Sequence, residues 1–322
     1  MIKISDVKAI RFSVAFNGNG CVNWDSDEQK STLVSCGLTK GTTYNNAMFA
    51  KKEFCYDENG EIGFKYKVSS ECLRHNIFRK SMPFVTPYEN SNKEFLSKMH
   101  AHPDYIIRGY MVTRGEKTTA LKRKSPFTIS DAVESTDNLH KFADFDFHSN
   151  AGDKGEKNDD KGNTSIYKLE NVGSMEYIAE CNLDVEELSF ISCDPKYDRQ
   201  AFDNELKGKS ENPYIIALSN TMVNFTPEIK RYSLDNDILQ MTEEKDQRGE
   251  VGILLNKESV DMLIHRLFNL IKDVNIYKRN ALFEFKEFVS IKAITENGII
   301  DINPDEIEDC IFEYSEAYKE VH

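Results

Sequence analysis

Four catalytic signatures are missing from this 322-residue chain: it holds no C-x-x-C pair, no Walker loop, no H-E-x-x-H and no G-x-S-x-G. Their absence removes the sequence grounds for a thiol redox pair, a P-loop nucleotidase, a zincin or an α/β-hydrolase. The seven cysteines (Cys21, Cys36, Cys55, Cys72, Cys181, Cys193, Cys310) are odd in number and scattered. They suggest neither a disulfide framework nor a zinc site. No apolar run approaches the roughly 18 residues that a membrane helix needs, and charges interrupt the opening Met1–Lys8, leaving no secretory h-region. A cytoplasmic protein with no membrane partner is expected. Tryptophan is down to one residue, whereas Phe (20) and Tyr (14) are plentiful. That balance favours a β-containing fold, because aromatics pack well on pleated surfaces.

A net charge of −13 counts at first sight against nucleic acid, since phosphate binding rests on Lys and Arg. Distribution changes the reading. Asp301–His322 holds eight acidic residues and one lysine, while Asp104–Ser125 holds six basic residues and two acidic. The chain is polarised. On charge alone, an acidic protein-interaction module that never touches RNA stays open.

Hydrophobic residues at 39% suffice for a sizeable core, and no internal repeat or linker divides the chain. Ile10, Phe12, Val14 and Phe16 alternate with Arg11, Ser13 and Ala15, a strand with one buried face. It ends at Asn17-Gly18-Asn19-Gly20, a turn in which both glycines can take positive φ. Phe64–Val68 alternates again. Ser69 or Ser70 caps a helix expected over Glu71–Lys80 and stopped by Pro83. Ile106–Val112 reads as a strand whose Gly109 marks a bulge or a close backbone approach. Further strands are expected at Leu188–Ser192, Tyr214–Ser219 and Ala281–Lys292. A helix capped near Asn256 carries Val260, Leu263, Ile264, Leu267 and Ile271 as a core-facing stripe, and an acidic helix begins near Pro304. The polar run 149–164 cannot bury enough apolar area to order itself. Bracketed by alternating arms at 144–148 and 165–169, it predicts a protruding β-hairpin.

Two histidine patterns invite chemistry. His100-Ala-His102 resembles a metal pair, but no third ligand is placed nearby, and Pro103 favours an extended loop. His75 lies among Arg74, Asn76 and Arg79, where it can serve as a general base in RNA cleavage, although no second acid is placed to protonate the leaving oxygen. Three basic groups point instead to RNA binding: Arg74, Arg79 and Lys80 on one short helix; Arg108 and Arg114 flanking Tyr110; and Lys122-Arg123-Lys124 before Phe127. Cations take phosphates while neighbouring rings offer stacking faces worth about 1–3 kcal/mol per base.

Ser69–Phe78 resembles the helix start of backbone subunits of type I CRISPR complexes, in the RAMP superfamily (family seven type). Tyr105–Met111 followed by Leu121–Phe127 is similar to that family's strand leading into its basic segment, and Val22-Asn23-Trp24 also fits. The likeness is strongest to the compact variant of subtype I-F, with type IV backbone subunits next. It implies an α+β fold: one RRM/ferredoxin-like palm domain over residues 1–322, a helical fingers insertion at about 36–105, and a protruding β-hairpin thumb at about 113–176 with its tip at 149–164. It also implies a non-catalytic subunit of a Cascade surveillance complex that coats the guide RNA (crRNA). Its partners are the crRNA, further copies of itself in a helical filament, capping subunits at the two crRNA ends, and target nucleic acid, taken as DNA, paired with the guide. The candidate RNA-binding set is Trp24, Arg74, His75, Asn76, Arg79, Lys80, Arg108, Tyr110, Arg114, Lys122, Arg123, Lys124, Phe127, Phe147, Tyr167 and Lys168. No catalytic residue, metal or cofactor is expected. Type III relatives use an aspartate for target cutting; Asp25, just after Trp24, is the one to check for that role and is expected to be inert. The alternative is a RAMP-type endoribonuclease processing precursor RNA. Glutamate at all three of Lys122, Arg123 and Lys124 is expected to abolish RNA-dependent assembly of a monomer that still folds.

Overall fold

The alternation at Ile10–Phe16 belongs to one long strand, β1 (Ile2–Asn19), in the computed structural model of the chain. The structure describes residues 1–25, 31, 47–79, 93–112, 120–141, 147–151, 166–194, 200–202, 212–222, 228–234, 249–278 and 281–320. After β1 come β2 (Trp24–Asp25), β3 (Ala47–Ala50), β4 (Lys52–Tyr56), β5 (Ile62–Val68) and helix α1 (Ser70–Arg79). Helices α2 (Lys93–His100) and α3 (Pro103–Arg108) lead into β6 (Tyr110–Val112), β7 (Leu121–Arg123), β8 (Phe127–Ile129) and β9 (Ala132–Glu134). The middle of the chain holds β10 (Phe147–Ala151), β11 (Ile166–Glu170), β12 (Ser174–Asp184), α4 (Val185–Ser189), β13 (Phe190–Ser192) and α5 (Pro213–Ser219). It closes with β14 (Ile229–Leu234), β15 (Glu250–Leu254), α6 (Lys257–Lys272), β16 (Asn275–Lys278), β17 (Ala281–Thr295) and β18 (Gly298–Ile302). A 3-10 turn (Pro304–Asp309), β19 (Cys310–Tyr314) and β20 (Tyr318–Glu320) follow.

Among the described residues, ten strands form one large, mostly antiparallel sheet in the order β16-β17-β1-β12-β9-β5-β4, with β18 added on β17, β19 on β1 and β8 on β12. The chain is thus a mixed α/β protein. β1 is antiparallel to β12 and β17 and parallel to β19. Its apolar face (Ile10, Phe12, Val14, Phe16) is sealed by α6, whose stripe Val260, Leu263, Ile264, Leu267 and Ile271 is wholly buried. Phe268 of α6 lies 5.1 Å from Phe12 and 5.2 Å from Phe288, the latter edge-on. Each such side chain contributes about 1.5–3 kcal/mol by leaving water. Asn256 caps α6, its side chain accepting from Ser259 N at 3.0 Å.

β10 pairs antiparallel with β11 from Phe147↔Glu170 to Ala151↔Ile166, and β11 continues parallel onto β3. Residues 152–165, most of the expected tip, lie outside the described residues. At its base Glu170, 1% exposed, accepts from Ala50 N at 2.9 Å and from the Tyr66 hydroxyl at 2.8 Å, and it ion-pairs with the equally buried Lys52.

Several expected strands are helices. Tyr105–Arg108 belongs to α3, and only Tyr110–Val112 is extended. His102 caps α3, its ring accepting from Asp104 N at 3.3 Å, and Pro103 occupies the first turn rather than holding a loop open. The same Asn-Pro device, with Asn212 accepting from Tyr214 N at 2.9 Å, makes Tyr214–Ser219 helical. Leu188 and Ser189 end α4, so that strand starts at Phe190. The acidic helix is a single 3-10 turn before an alternating strand. Gly18 lies within β1, where a Cβ would fall 2.5 Å from the Tyr177 ring. No helix among the described residues is long and apolar enough to cross a membrane.

Candidate nucleic-acid interface

Ser69 begins α1: its hydroxyl accepts from Cys72 N at 3.4 Å, and its carbonyl receives Leu73 N at 3.0 Å. Leu73, Ile77 and Phe78 then turn inward. The 3.6-residue period leaves Arg74, His75 and Arg79 on the outer flank. Opposite them, α3 ends at Arg108 and the chain reverses through Gly109 at φ 71° into β6. A Cβ at Gly109 would lie 2.6 Å from Arg123 O and 2.7 Å from Ser125 N, so only glycine permits this close approach.

Between these elements lies a cleft of about 640 Å³. Arg74, His75 and Arg79 line one wall; Tyr105, Arg108 and Tyr110–Val112 line the other. No carboxylate is among the described residues that line it. Arg74 donates to Phe127 O at 2.8 Å and to the carbonyl of Arg108. Burial, then the neighbouring Arg108 charge, lowers its pKa, yet a guanidinium starts so high that it stays charged. Cations facing each other across a cleft favour an anion between them, and a planar guanidinium suits phosphate. Neither Arg74 nor Arg79 has a carboxylate partner among the described residues. Met111, 68% exposed, gives the rim an apolar edge.

The cleft gathers Arg74, His75, Arg79, Arg108, Tyr110 and the buried Arg123 from the expected set. Tyr110 is constrained. Its hydroxyl donates to Ala201 O at 2.9 Å and its ring stacks on His100 with centroids 3.9 Å apart, covering one face. Asn76 sits beside the cleft, its amide donating to Cys72 O at 2.8 Å. Two members are corrected. Phe127 is fully buried between Phe12 and Phe78, closed to any base. Arg123, 5% exposed, donates to the carbonyls of Ile106 (2.9 Å), Phe190 (2.8 Å), Glu187 (3.2 Å) and Leu188 (3.3 Å), so its donors serve the fold and not a phosphate. Lys122 and Lys124 flank it on β7 and beyond without lining the cleft; Lys124 borders a separate recess with Glu187 and Glu250. Trp24 is half-buried on β2. Phe147 falls on β10, and Tyr167 and Lys168 on β11. Lys80 and Arg114 lie outside the described residues.

His100 and His102 do not form a metal pair: one stacks on Tyr110, the other caps α3. Among the described residues no cluster of three or more His, Cys, Asp or Glu side chains is arranged to hold a metal ion. Sequence reading missed Tyr105 and Met111. The signal was present in His102-Pro103, because a helix starting there sets Tyr105 and Arg108 three apart on one face.

A family model described as "Type I-Fv CRISPR-associated protein Cas7fv-like" matches residues 6–313. Among solved structures, a chain of a "Type IV-B CRISPR Complex" is similar at 11% identity and a TM-score of 0.32, covering 54% of this chain and 73% of that one. So slight a likeness carries no argument about either fold or function. No curated protein matches the sequence.

Proposed function

The chain belongs to the type I-Fv CRISPR-associated Cas7fv-like family, and from that premise we propose that it is a non-catalytic backbone subunit that coats a CRISPR guide RNA. One observation carries the reading. In a protein of net charge −13, Arg74, His75, Arg79 and Arg108 border one cleft with no carboxylate among the described residues that line it. A guide must present its bases for pairing, so the protein grips the sugar–phosphate backbone and leaves the Watson–Crick edges free. Binding is then nearly independent of sequence and strongly weakened by salt.

In this proposal the large sheet is the RRM-like palm of a single domain, about 36–105 supply the fingers and about 113–176 the thumb, as in the compact variant of subtype I-F. Copies join head to tail along the crRNA, a contact that does not close and so grows a helical filament. Other Cascade subunits cap the two ends in the cytoplasm, and target DNA pairs with the displayed spacer. Lys122 and Lys124 serve as contacts outside the cleft, and Lys80, Arg114, Phe147, Tyr167 and Lys168 as further contacts.

Co-expression with a CRISPR array tests the reading. The purified protein should carry RNA and absorb strongly at 260 nm; a protein that comes out RNA-free and binds no single strand overturns it. The endoribonuclease alternative rests on His75, exposed at the cleft wall beside Arg74 and Arg79. Metal-independent cleavage of a repeat-containing transcript, lost in His75→Ala, would replace the non-catalytic role.

A further inference from the structure

Beyond the cleft, the flank of α1 leads to a second cationic patch. Cys72 and Asn76 follow His75 and Arg79 around the helix, three residues apart in each pairing, and Asn76 is tied to Cys72 O. Next to them the Asn23 amide donates to Ser69 Oγ at 2.8 Å, which pins the start of β2 against the start of α1. Lys278, the last residue of β16, reaches over to Val22 O at 2.9 Å. Lys51 follows β3, whose Ala50 pairs with Trp24, and its amide donates to Asn23 O at 3.2 Å. Burial raises the Cys72 thiol pKa, and the Lys278 and Lys51 charges oppose that rise. Neither lysine has a carboxylate partner among the described residues, whereas Lys3, Lys67, Lys272, Lys286 and Lys292 all do. Trp24, half-buried, opens β2 directly after Asn23.

We propose that Lys51, Lys278 and Trp24 form a second subsite for single-stranded RNA, joined to the cleft across Asn76, so that one strand runs from Arg108 over α1 to Trp24. The proposal rests on reading the cleft as an RNA-backbone site and extends it. The lysines take phosphates, and the indole face takes a base by stacking, which every base allows. Asn76, too far round α1 to line the cleft, gains a place on the path between the two subsites.

The chain contains a single tryptophan, so its intrinsic fluorescence reports on this subsite alone. RNA-free protein is titrated with oligouridines of about 4 and about 16 nucleotides, the span of site sizes on single-strand grooves. Anisotropy of the labelled RNA follows binding, and tryptophan emission is recorded in parallel. The longer strand should quench Trp24. In Lys51→Gln/Lys278→Gln the slope of log affinity against log salt should fall by about 1.4 for the longer strand, at about 0.7 per phosphate on single strands. Lys51→Arg/Lys278→Arg should restore it. Binding of the longer strand with unchanged tryptophan emission and an unchanged slope overturns the second subsite and leaves the cleft standing. Failure of both strands to bind overturns the cleft and, with it, this extension.

Discussion

Tyr66 on β5 donates its hydroxyl hydrogen to Oε1 of Glu170 on β11 at 2.8 Å, joining the large sheet to the hairpin strands. Burial, then the Glu170 charge, pushes the Tyr66 pKa far up, so the phenol remains a donor. On the other carboxylate oxygen sits Lys52, within 5.1–5.4 Å of the Phe49, Phe64 and Tyr66 ring centres. Removing one charge strands the other in an apolar site, which costs about 3–5 kcal/mol, whereas replacing both with apolar residues of similar volume is far milder. Glu170→Gln and Lys52→Met should each lower urea stability by that amount, and Lys52→Met/Glu170→Gln, which removes both charges and keeps an acceptor for Ala50 N and the Tyr66 hydroxyl, should recover most of it. A double variant as unstable as the sum of the two singles would show that the pair is not coupled.

Arg123 separates two roles that the triplet Lys122-Arg123-Lys124 had joined. Its guanidinium serves four backbone carbonyls, so Arg123→Met leaves buried acceptors unmet and should destabilise by about 3 kcal/mol or more. Lys122→Glu and Lys124→Glu should stay within about 0.5 kcal/mol of the parent. The expectation that the triple glutamate variant keeps its fold is therefore withdrawn: it should be unfolded or scarcely soluble, as thermal melts would report. A triple variant melting like the parent would refute the assignment.

Period-2 and period-3.6 patterns were readable wherever burial was one-sided, as along β1 and the Val260–Ile271 stripe of α6. They failed on short apolar runs, where periodicity alone does not separate strand from helix. Ile106-Ile107 and Ile215-Ile216 look alike as strand or helix, and the choice rests on the preceding His102-Pro103 and Asn212-Pro213 caps. The arginines of α1 and Arg108 were legible as cations. That Arg123 points inward was not, because alternation on β7 buries Leu121 and Arg123 together and nothing local distinguishes a carbonyl-bound guanidinium from a free one. Lys51 and Lys278 lie 227 positions apart in the numbering, so only the fold brings both to Cys72.

Arg79 offers the cleanest charge test of the cleft. It is exposed at the end of α1 and lines the wall without a carboxylate partner among the described residues. Arg79→Glu should weaken single-stranded RNA at least tenfold at low salt and reduce the salt slope by about 0.7 or more, with an unchanged circular dichroism spectrum. Equal losses for every base composition would match a backbone contact; losses confined to one sequence would instead point to base reading.

Gly109 joins the fold to the cleft. With φ at 71° and Arg123 O in the way of any Cβ, Gly109→Ala adds strain of about 1–3 kcal/mol before any clash relaxes. Relief requires β6 to move off β7, shifting Tyr110 and Met111 away from Arg74. RNA affinity should fall along with the melting temperature. In Ile291→Val, in the core on β17 and outside the cleft lining, a loss of about 0.5–1.5 kcal/mol should leave RNA affinity alone.

Asp131 supplies a pH dependence whose sign can be worked out. Its carboxylate accepts from Ser70 N at 2.8 Å and pairs with Lys67 Nζ at 2.8 Å. Partial burial raises its pKa, but the Lys67 and Ser70 hydrogen bonds outweigh that, and the net shift is downward. A carboxyl depressed in the folded state adds stability above its unfolded pKa of about 3.9, and that stability is lost as pH falls through the folded value. The pair is partly exposed and screened, so the charge is worth about 1 kcal/mol at most. Asp131→Asn keeps an acceptor for Ser70 N and removes only the charge. Parent and variant should therefore differ by about that amount at neutral pH, and the two urea midpoints should converge below about pH 4. A gap that persists into acid would mean that the side chain's shape, not its charge, holds the start of α1.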